Sequence, residues 1–353
     1  MINRNAAGDA SRRDVLKALA AAGAGALLPA TGLIAQNGRG NAGRIDVHHQ
    51  YSFMKNGAYG TGGTKGQPEA SLEQMDKHGI ATAILSTAGY GDEVYDGSEN
   101  ARSLARKSNE YAAKLVDTHP KRFGFMAILP IPDIEGSMRE IEFAFDKLNA
   151  DGVGILSNIY DKWPGDPAYF PVFQELNRRK AVVFIHPFVP KCCRGLVKGV
   201  QDYVVEFDFD TTRAVTSLLY NGVLSKCPDM RLIVNHSGAA VPVLSGRIKD
   251  RVPGDESRLN REGARLGKNA NIPNGTMYEL KRLYYECAHA TYPVSLAALL
   301  KFAQTDRILF GTDYPAEPME STLRELDAAG LSPELLRALG RANAERLFPR
   351  FKA

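Results

Sequence analysis

The stretch RIDVHHQ, residues 44–50, begins with five residues, RIDVH (44–48), that read as a short buried strand. Alternate side chains of a strand share a face. Asp46, His48 and Gln50 are therefore expected on one side, and Val47 and His49 on the other. Further β-rich runs follow at 81–87 (ATAILST), 123–129 (FGFMAIL), 152–157 (GVGILS), 182–186 (VVFIH), 231–236 (RLIVNH), 283–288 (LYYECA) and 307–313 (RILFGTD). Amphipathic segments such as SMREIEFAFDKLNA (137–150) separate them. Strands that alternate with helices imply a parallel sheet. Eight such units imply an α/β chain closed into a (β/α)8 TIM barrel rather than an open doubly wound sheet. The glycine fingerprint of a dinucleotide fold is also missing after the first run.

The 353 residues suit a single barrel, and 44% hydrophobic with 24% charged residues is the balance of a globular chain. The formal net charge is +4, and half of it comes from the first 35 residues, where Arg4, Arg12, Arg13 and Lys17 face only Asp9 and Asp14. The remainder is nearly neutral, which with no basic block argues against nucleic acid as a partner. SRRDVLKALAAAGAGALLPATGLIA (11–35) places paired arginines before a weakly hydrophobic run broken by Gly23, Gly25 and Pro29. That run is too short and too glycine-rich for a membrane span and reads as a twin-arginine export signal. The expected organisation is a signal at 1–35, a linker at 36–42 and one barrel domain at 43–353. The expected location is the periplasm, with no membrane attachment after signal removal.

Two long loops are expected. Residues 50–70 are glycine-rich without phosphate-loop spacing, and read as a mobile loop over the barrel mouth. Residues 252–279 are polar and charged, and read as a lid, an assembly contact or plain connection. Cys192, Cys193, Cys227 and Cys287 show no metal-knuckle spacing. They read as buried free thiols, with one bridge open in an oxidising compartment.

In a barrel of this kind the active site lies at the carboxyl ends of the strands. His48, His186, His236 and Asp313 end the first, fifth, sixth and eighth runs, so four chemically able side chains fall on one rim. His289, just after the seventh run, is a weaker candidate. His78 and His119 lie near helix ends and are set aside, and His49 is expected to be structural. Two imidazoles and a carboxylate make a three-ligand set for zinc with an open fourth position. Gln50 would face the same mouth as a weak ligand or as a hydrogen-bond partner of water or substrate.

IDVHH (45–49), VFIHP (183–187), NHSGA (235–239) and FGTDYP (310–315) resemble the signature points of the amidohydrolase-related family. Within it, NEYAAKLVDTHPKRFGFMAILPIPD (109–133), CCRGLV (192–197), FDFDTTRAV (207–215) and GRANAERLFPRF (340–351) are similar to the branch of aminocarboxymuconate-semialdehyde and 6-methylsalicylate decarboxylases. The likeness covers nearly all of residues 43–351. It implies a barrel of the metal-dependent hydrolase type, with His48, His186 and Asp313 as metal ligands and His236 as the histidine that handles protons. The family's second histidine of the first strand is Gln50 here.

The same resemblance implies non-oxidative decarboxylation of a hydroxylated aromatic or unsaturated carboxylic acid. The expected cofactor is a divalent metal, zinc with manganese as the alternative. Asp313, with His236 as its partner, would deliver a proton to the ring carbon. Arg194, after the fifth run, is a candidate clamp for a second anionic group of the small-molecule substrate. Dimers are frequent in the family, so a homodimer is an expectation as well. Two alternatives stay open: a metal-dependent hydrolase of a lactone, amide or ester, and a non-catalytic periplasmic binding protein with a degenerate metal site.

Overall fold

The structure is a computed structural model that describes residues 43–51, 68–87, 94–251 and 269–352. The expected signal and linker lie outside the described residues, as does most of each expected long loop. Eight strands pair in parallel in sequence order: Arg44–Gln50 (β1), Ile80–Ser86 (β2), Phe123–Ile128 (β3), Gly152–Leu156 (β4), Val182–His186 (β5), Arg231–Val234 (β6), Tyr284–Glu286 (β7) and Ile308–Leu309 (β8). The connecting helices are Pro68–His78 (α1), Glu99–Thr118 (α2), Ile134–Asp146 (α3), Phe170–Arg178 (α4), Tyr203–Tyr220 (α5), Val223–Lys226 (α6), Val241–Arg251 (α7), Thr276–Lys281 (α8), Pro293–Phe302 (α9) and Met319–Ala328 (α10). Two short helices, Pro333–Arg337 (α11) and Asn343–Leu347 (α12), follow. Just past β8 the chain returns to β1: Val47 N–H donates to Phe310 O (2.9 Å), Asp313 N–H to His48 O (2.8 Å) and Gln50 N–H to Tyr314 O (2.7 Å). The ring therefore closes as expected.

Local chemistry accounts for the helix starts. Ser98 accepts from Ala101 N–H at α2, Asp133 from Gly136 N–H at α3 and Ser332 from Leu335 N–H at α11, each occupying a donor that the first helical turn leaves unpaired. His119 closes α2, its backbone N–H donating to Leu115 O and Val116 O, and His78 ends α1. Both fit the helix-end roles given to them. The expected loop at 252–279 finishes in helix, because α8 begins at Thr276. Among the described residues, no helix is long and apolar enough to cross a membrane. Cys227 and Cys287 are buried free thiols as expected, whereas Cys192 is exposed and Cys193 partly so; their loop after β5 lies on the surface.

The inward side chains Ile45, Val47, Ile84, Met126, Val182, Phe184, Ile233 and Leu309 form one apolar cluster, joined from below by Ala344, Leu347, Phe348 and Phe351. The outward side chains of the strands pack in a second cluster against the helices. The end of the chain thus plugs the amino-terminal end of the barrel. Arg341 donates to Gly43 O (2.6 Å) and Phe351 O (2.8 Å), and Asn343 to Thr305 O and Ile308 O (both 2.8 Å), which pins the plug to both β1 and β8. Phe348 is 2% exposed. Phe348→Ala should lower the unfolding free energy by about 3–5 kcal/mol in a denaturant titration, because little nearby can collapse into the space.

The expected alternation along β1 fails at one point. Asp46 pairs with Ala83 but His49 with Leu85, so β1 carries one extra residue there, a bulge. Val47 and His48 consequently both face the barrel interior, while Asp46 and His49 share the outer side and bond to each other (3.2 Å). Asp46 therefore does not accompany His48, as strict alternation would have it. Its carboxylate instead accepts from His48 N–H (3.1 Å), Thr312 N–H (3.0 Å) and Thr312 Oγ1–H (2.6 Å), fixing the bulge to the residue before Asp313. His49, with Nε2 3.0 Å from Ser71 Oγ, has the structural role expected of it.

Candidate metal centre

Where β6, β7 and β8 end, the backbone turns abruptly. His236, Ser237, Ala239, His289 and Asp313 all have φ between 48° and 58°, a left-handed conformation that costs non-glycine residues energy and gathers at functional sites. These turns shorten the strands relative to the expected runs and aim side chains across the mouth. Among the described residues, His48, His236 and Asp313 form one group of three whose ligand atoms all lie within 4.8 Å of one another, and all three are buried. His48 Nε2 stands 2.9 Å from Asp313 Oδ1, and His236 Nε2 3.5 Å from Asp313 Oδ2. Neither nitrogen makes a hydrogen bond of acceptable geometry. Two buried imidazole nitrogens without partners, converging on one carboxylate, suit a divalent ion that takes nitrogen and oxygen ligands at about 2 Å. The mouth of the barrel thus carries a His-His-Asp group with the donor chemistry of a divalent-metal site.

The remaining nitrogen of His48 is fixed as well. Its Nδ1–H donates to Glu286 Oε1 (3.0 Å), and the same carboxylate accepts from His236 N–H (2.7 Å) and Ala288 N–H (2.6 Å). Glu286 thus holds the ring of His48 and the turn that carries His236 from a fully buried position on β7. A carboxylate behind a ligating histidine orients it and raises its basicity. Gly311 leaves room for this: a Cβ there would collide with the Glu286 carboxylate and press on His48 Cβ at 3.0 Å.

The charges follow from these contacts. Burial alone would lower the His48 pKa, but Asp313 and Glu286 outweigh it and raise the value to about 10. Burial also opposes the charged form of His236, yet Asp208, 3.7 Å from its Nδ1, and Asp313 raise it to about 9. Burial pushes the Asp313 carboxyl up, and the surrounding imidazoles more than reverse this, holding it well below the usual range. His186 differs: burial, then the charge on His48, lower it to about 3. Its Nδ1–H donates to Pro187 O (2.8 Å), so the lone pair of a neutral ring resides on Nε2. A metal that binds here must displace at least one proton. Metal affinity should accordingly rise by about tenfold per pH unit, or more, between pH 6 and 9, as read by competition with a chelator.

His186 lies in the same mouth, its ring 5.3 Å from that of His48, but outside the group of three. Between it and Asp313 stands Gln50. The Gln50 amide nitrogen is 3.5 Å from His186 Nε2 and donates to Asp313 Oδ1. Gln50 so placed donates through its amide nitrogen, because Asp313 offers it only an acceptor. His289, ranked low from sequence, sits directly on Asp313, Nε2 to Oδ2 at 2.8 Å. Arg194 is exposed on the loop after β5, its guanidinium 5.9 Å from the Phe188 ring. Glu286 was missed altogether. Its one signal was a carboxylate inside the apolar run LYYECA.

The amidohydrolase family model matches residues 45–350, and a twin-arginine translocation signal model matches residues 9–29. The 6-methylsalicylic acid decarboxylase of Penicillium expansum is 32% identical over 88% of this chain and 97% of its own length. Decarboxylase yanB of Aspergillus niger is 31% identical over 88% of each chain. Among solved structures, a dihydroxybenzoic acid decarboxylase from Polaromonas with bound manganese and the inhibitor 2-nitroresorcinol superposes with a TM-score of 0.74 at 21% identity, over 88% of this chain and 98% of that one. With a family model that spans nearly all of the barrel, and relatives alike over most of their length, the chain belongs to the amidohydrolase family.

Proposed function

We propose that this chain is a metal-dependent decarboxylase that removes a carboxyl group, without oxidation, from a hydroxylated aromatic acid after export to the periplasm. The observation that carries this reading is the company kept at one buried mouth. A neutral imidazole, His186, lies beside two imidazoles held protonated against an ionised Asp313. Decarboxylation of an aromatic acid needs such a pairing: donors for a cation that receives the carboxylate, and a stored proton for the ring carbon that carbon dioxide leaves. The names of the relatives, decarboxylases of 6-methylsalicylic and dihydroxybenzoic acids, support the substrate class.

We assign His48, His186 and Asp313 to the ion and keep His236 for the proton. His48 and His186 each commit Nδ1–H to an acceptor, Glu286 and Pro187 O; His186 thereby offers its Nε2 lone pair directly, and His48 offers its own once its second proton has left. When bound, zinc or manganese supplies a Lewis acid and a template for the carboxylate and its neighbouring hydroxyl. Zinc suits the two-histidine, one-carboxylate donors, and manganese is the ion of the Polaromonas relative. At neutral pH the proton rests on His236 rather than on Asp313, which the imidazoles around it keep ionised. The His236–Asp313 pair delivers that proton to the ring carbon as the bond to the carboxyl group breaks. Arg194 takes a second anionic group of the substrate at the rim. Exposed Leu196, Val197, Val200, Tyr203 and Val204, on the loop after β5 and the start of α5, suit the apolar face of a homodimer.

Purified protein loaded with zinc or manganese should release carbon dioxide from at least one member of an ortho-hydroxybenzoate panel. Opening of a lactone with no carbon dioxide from any acid would overturn the lyase in favour of a hydrolase. Tight binding of an acid without turnover would point to a binding protein.

A further inference from the structure

Beside the candidate metal centre, on the β2–β5 side of the barrel, is a cavity of about 10 Å³, space for one water-sized group. Its walls include Met126, Leu156 and Phe184, with His186 at the side toward the metal donors, and Ser86 and Thr87 also line it. Ser86 ends β2 one step above the inward Ile84 and pairs with Gln50 in the ladder, so its side chain lies in the inward layer. It is 3% exposed. The Oγ of Ser86 and the Oγ1 of Thr87 are both buried and make no hydrogen bond. Two buried hydroxyls without partners, in a wall that also includes Tyr95, are costly unless something that enters the cavity pairs with them.

We propose that Ser86 and Thr87 form a specificity pocket for a hydroxyl substituent on the substrate ring, remote from the carboxylate. The proposal rests on the aromatic-acid reading of the site. The carboxylate and its ortho hydroxyl belong with the metal donors beyond His186, and the ring then lies against Met126, Leu156 and Phe184. A second hydroxyl, meta or para to the carboxylate, enters the cavity and pairs with the waiting oxygens. A hydrogen at that ring position leaves the hydroxyls to a trapped water at best, and a methyl fills the space but cannot pair with them. A site built to hydrogen-bond a hydroxyl discriminates against analogues that lack it far more strongly than an apolar site discriminates by size. The favoured class is therefore a 2-hydroxybenzoate with a further ring hydroxyl.

The test is calorimetric binding to the manganese-loaded protein of 2-hydroxybenzoate, its 4- and 5-hydroxy derivatives, and the matching methyl derivatives. One dihydroxy acid should bind at least about tenfold tighter than 2-hydroxybenzoate and than its own methyl counterpart. In Ser86→Ala/Thr87→Val protein that preference should fall to about twofold or less, while 2-hydroxybenzoate keeps its affinity. Gly154→Ala gives a second, independent reading. Its Cβ would enter the cavity at an ordinary 3.7 Å from Met126 Cβ, and should weaken the dihydroxy acid while both hydroxyls remain. Wild-type protein without the preference, or a double variant that keeps it, overturns the pocket. Carbon dioxide release is followed in parallel. Hydroxyl preference without release sinks the decarboxylase and leaves the pocket standing, and release without preference does the reverse.

Discussion

His236→Asn protein should keep its full complement of divalent ion and lose between about a hundredfold and ten-thousandfold in kcat, the range associated with a positioned acid or base. His186→Ala should do the opposite at the first step, purifying with little metal and regaining none after dialysis against zinc or manganese. The contrast follows from what each ring faces, since His48, also held charged, must give up a proton to serve as a ligand. His186 is held neutral, with Nδ1–H on Pro187 O and its Nε2 lone pair meeting only the Gln50 amide at 3.5 Å, a contact that an ion can replace. His236 is held charged between Asp208 and Asp313, which is the state of an acid. Elemental analysis beside steady-state kinetics separates the two. Metal lost from His236→Asn and retained by His186→Ala would exchange their roles and make the buried group of His48, His236 and Asp313 the true ligand set.

Glu286→Ala should be the most damaging change away from the ligands. The carboxylate accepts from the His48 ring, from His236 N–H and from Ala288 N–H, and all of these donors would be buried without an acceptor. Removing one partner of a buried charged network costs about 3–5 kcal/mol, which denaturant unfolding reads directly. Protein that survives should bind metal about 10- to 100-fold more weakly, because His48 loses the group that holds its ring. A smaller effect on both measurements would mean that the bulge in β1, pinned by Asp46, fixes His48 unaided.

Most of the barrel was legible because its signal is repetitive. Eight short β-rich runs separated by amphipathic helices leave few other architectures, and the strand ends then named His48, His186, His236 and Asp313. What sequence periodicity could not convey is where regular geometry stops. The added residue in β1 sends Val47 and His48 the same way, and nothing in RIDVHHQ announces it, since Asp46 holds it through Thr312 on the far side of the ring closure. His289 looked peripheral because strand 7 ends before it. A left-handed turn brings it back onto Asp313. Glu286 was invisible for a related reason: a lone carboxylate in an apolar run has meaning only once its distant donors are known. Gln50 was recognised as the departure from the family pattern, but its hydrogen to Asp313 could be found only with the neighbours in position.

The plug beneath the barrel has a consequence for biogenesis. Phe348 and Phe351 lie far along the chain from the strands they cover, and until they are made the interior below the candidate metal centre has no floor and Gly43 lacks the Arg341 contact. The native barrel therefore needs residues 344–351 in place, so a nascent chain cannot mature strand by strand. For a chain that carries a twin-arginine signal, a route for folded cargo, that dependence ties export to folding: a copy cut before Phe348 lacks the base of its barrel.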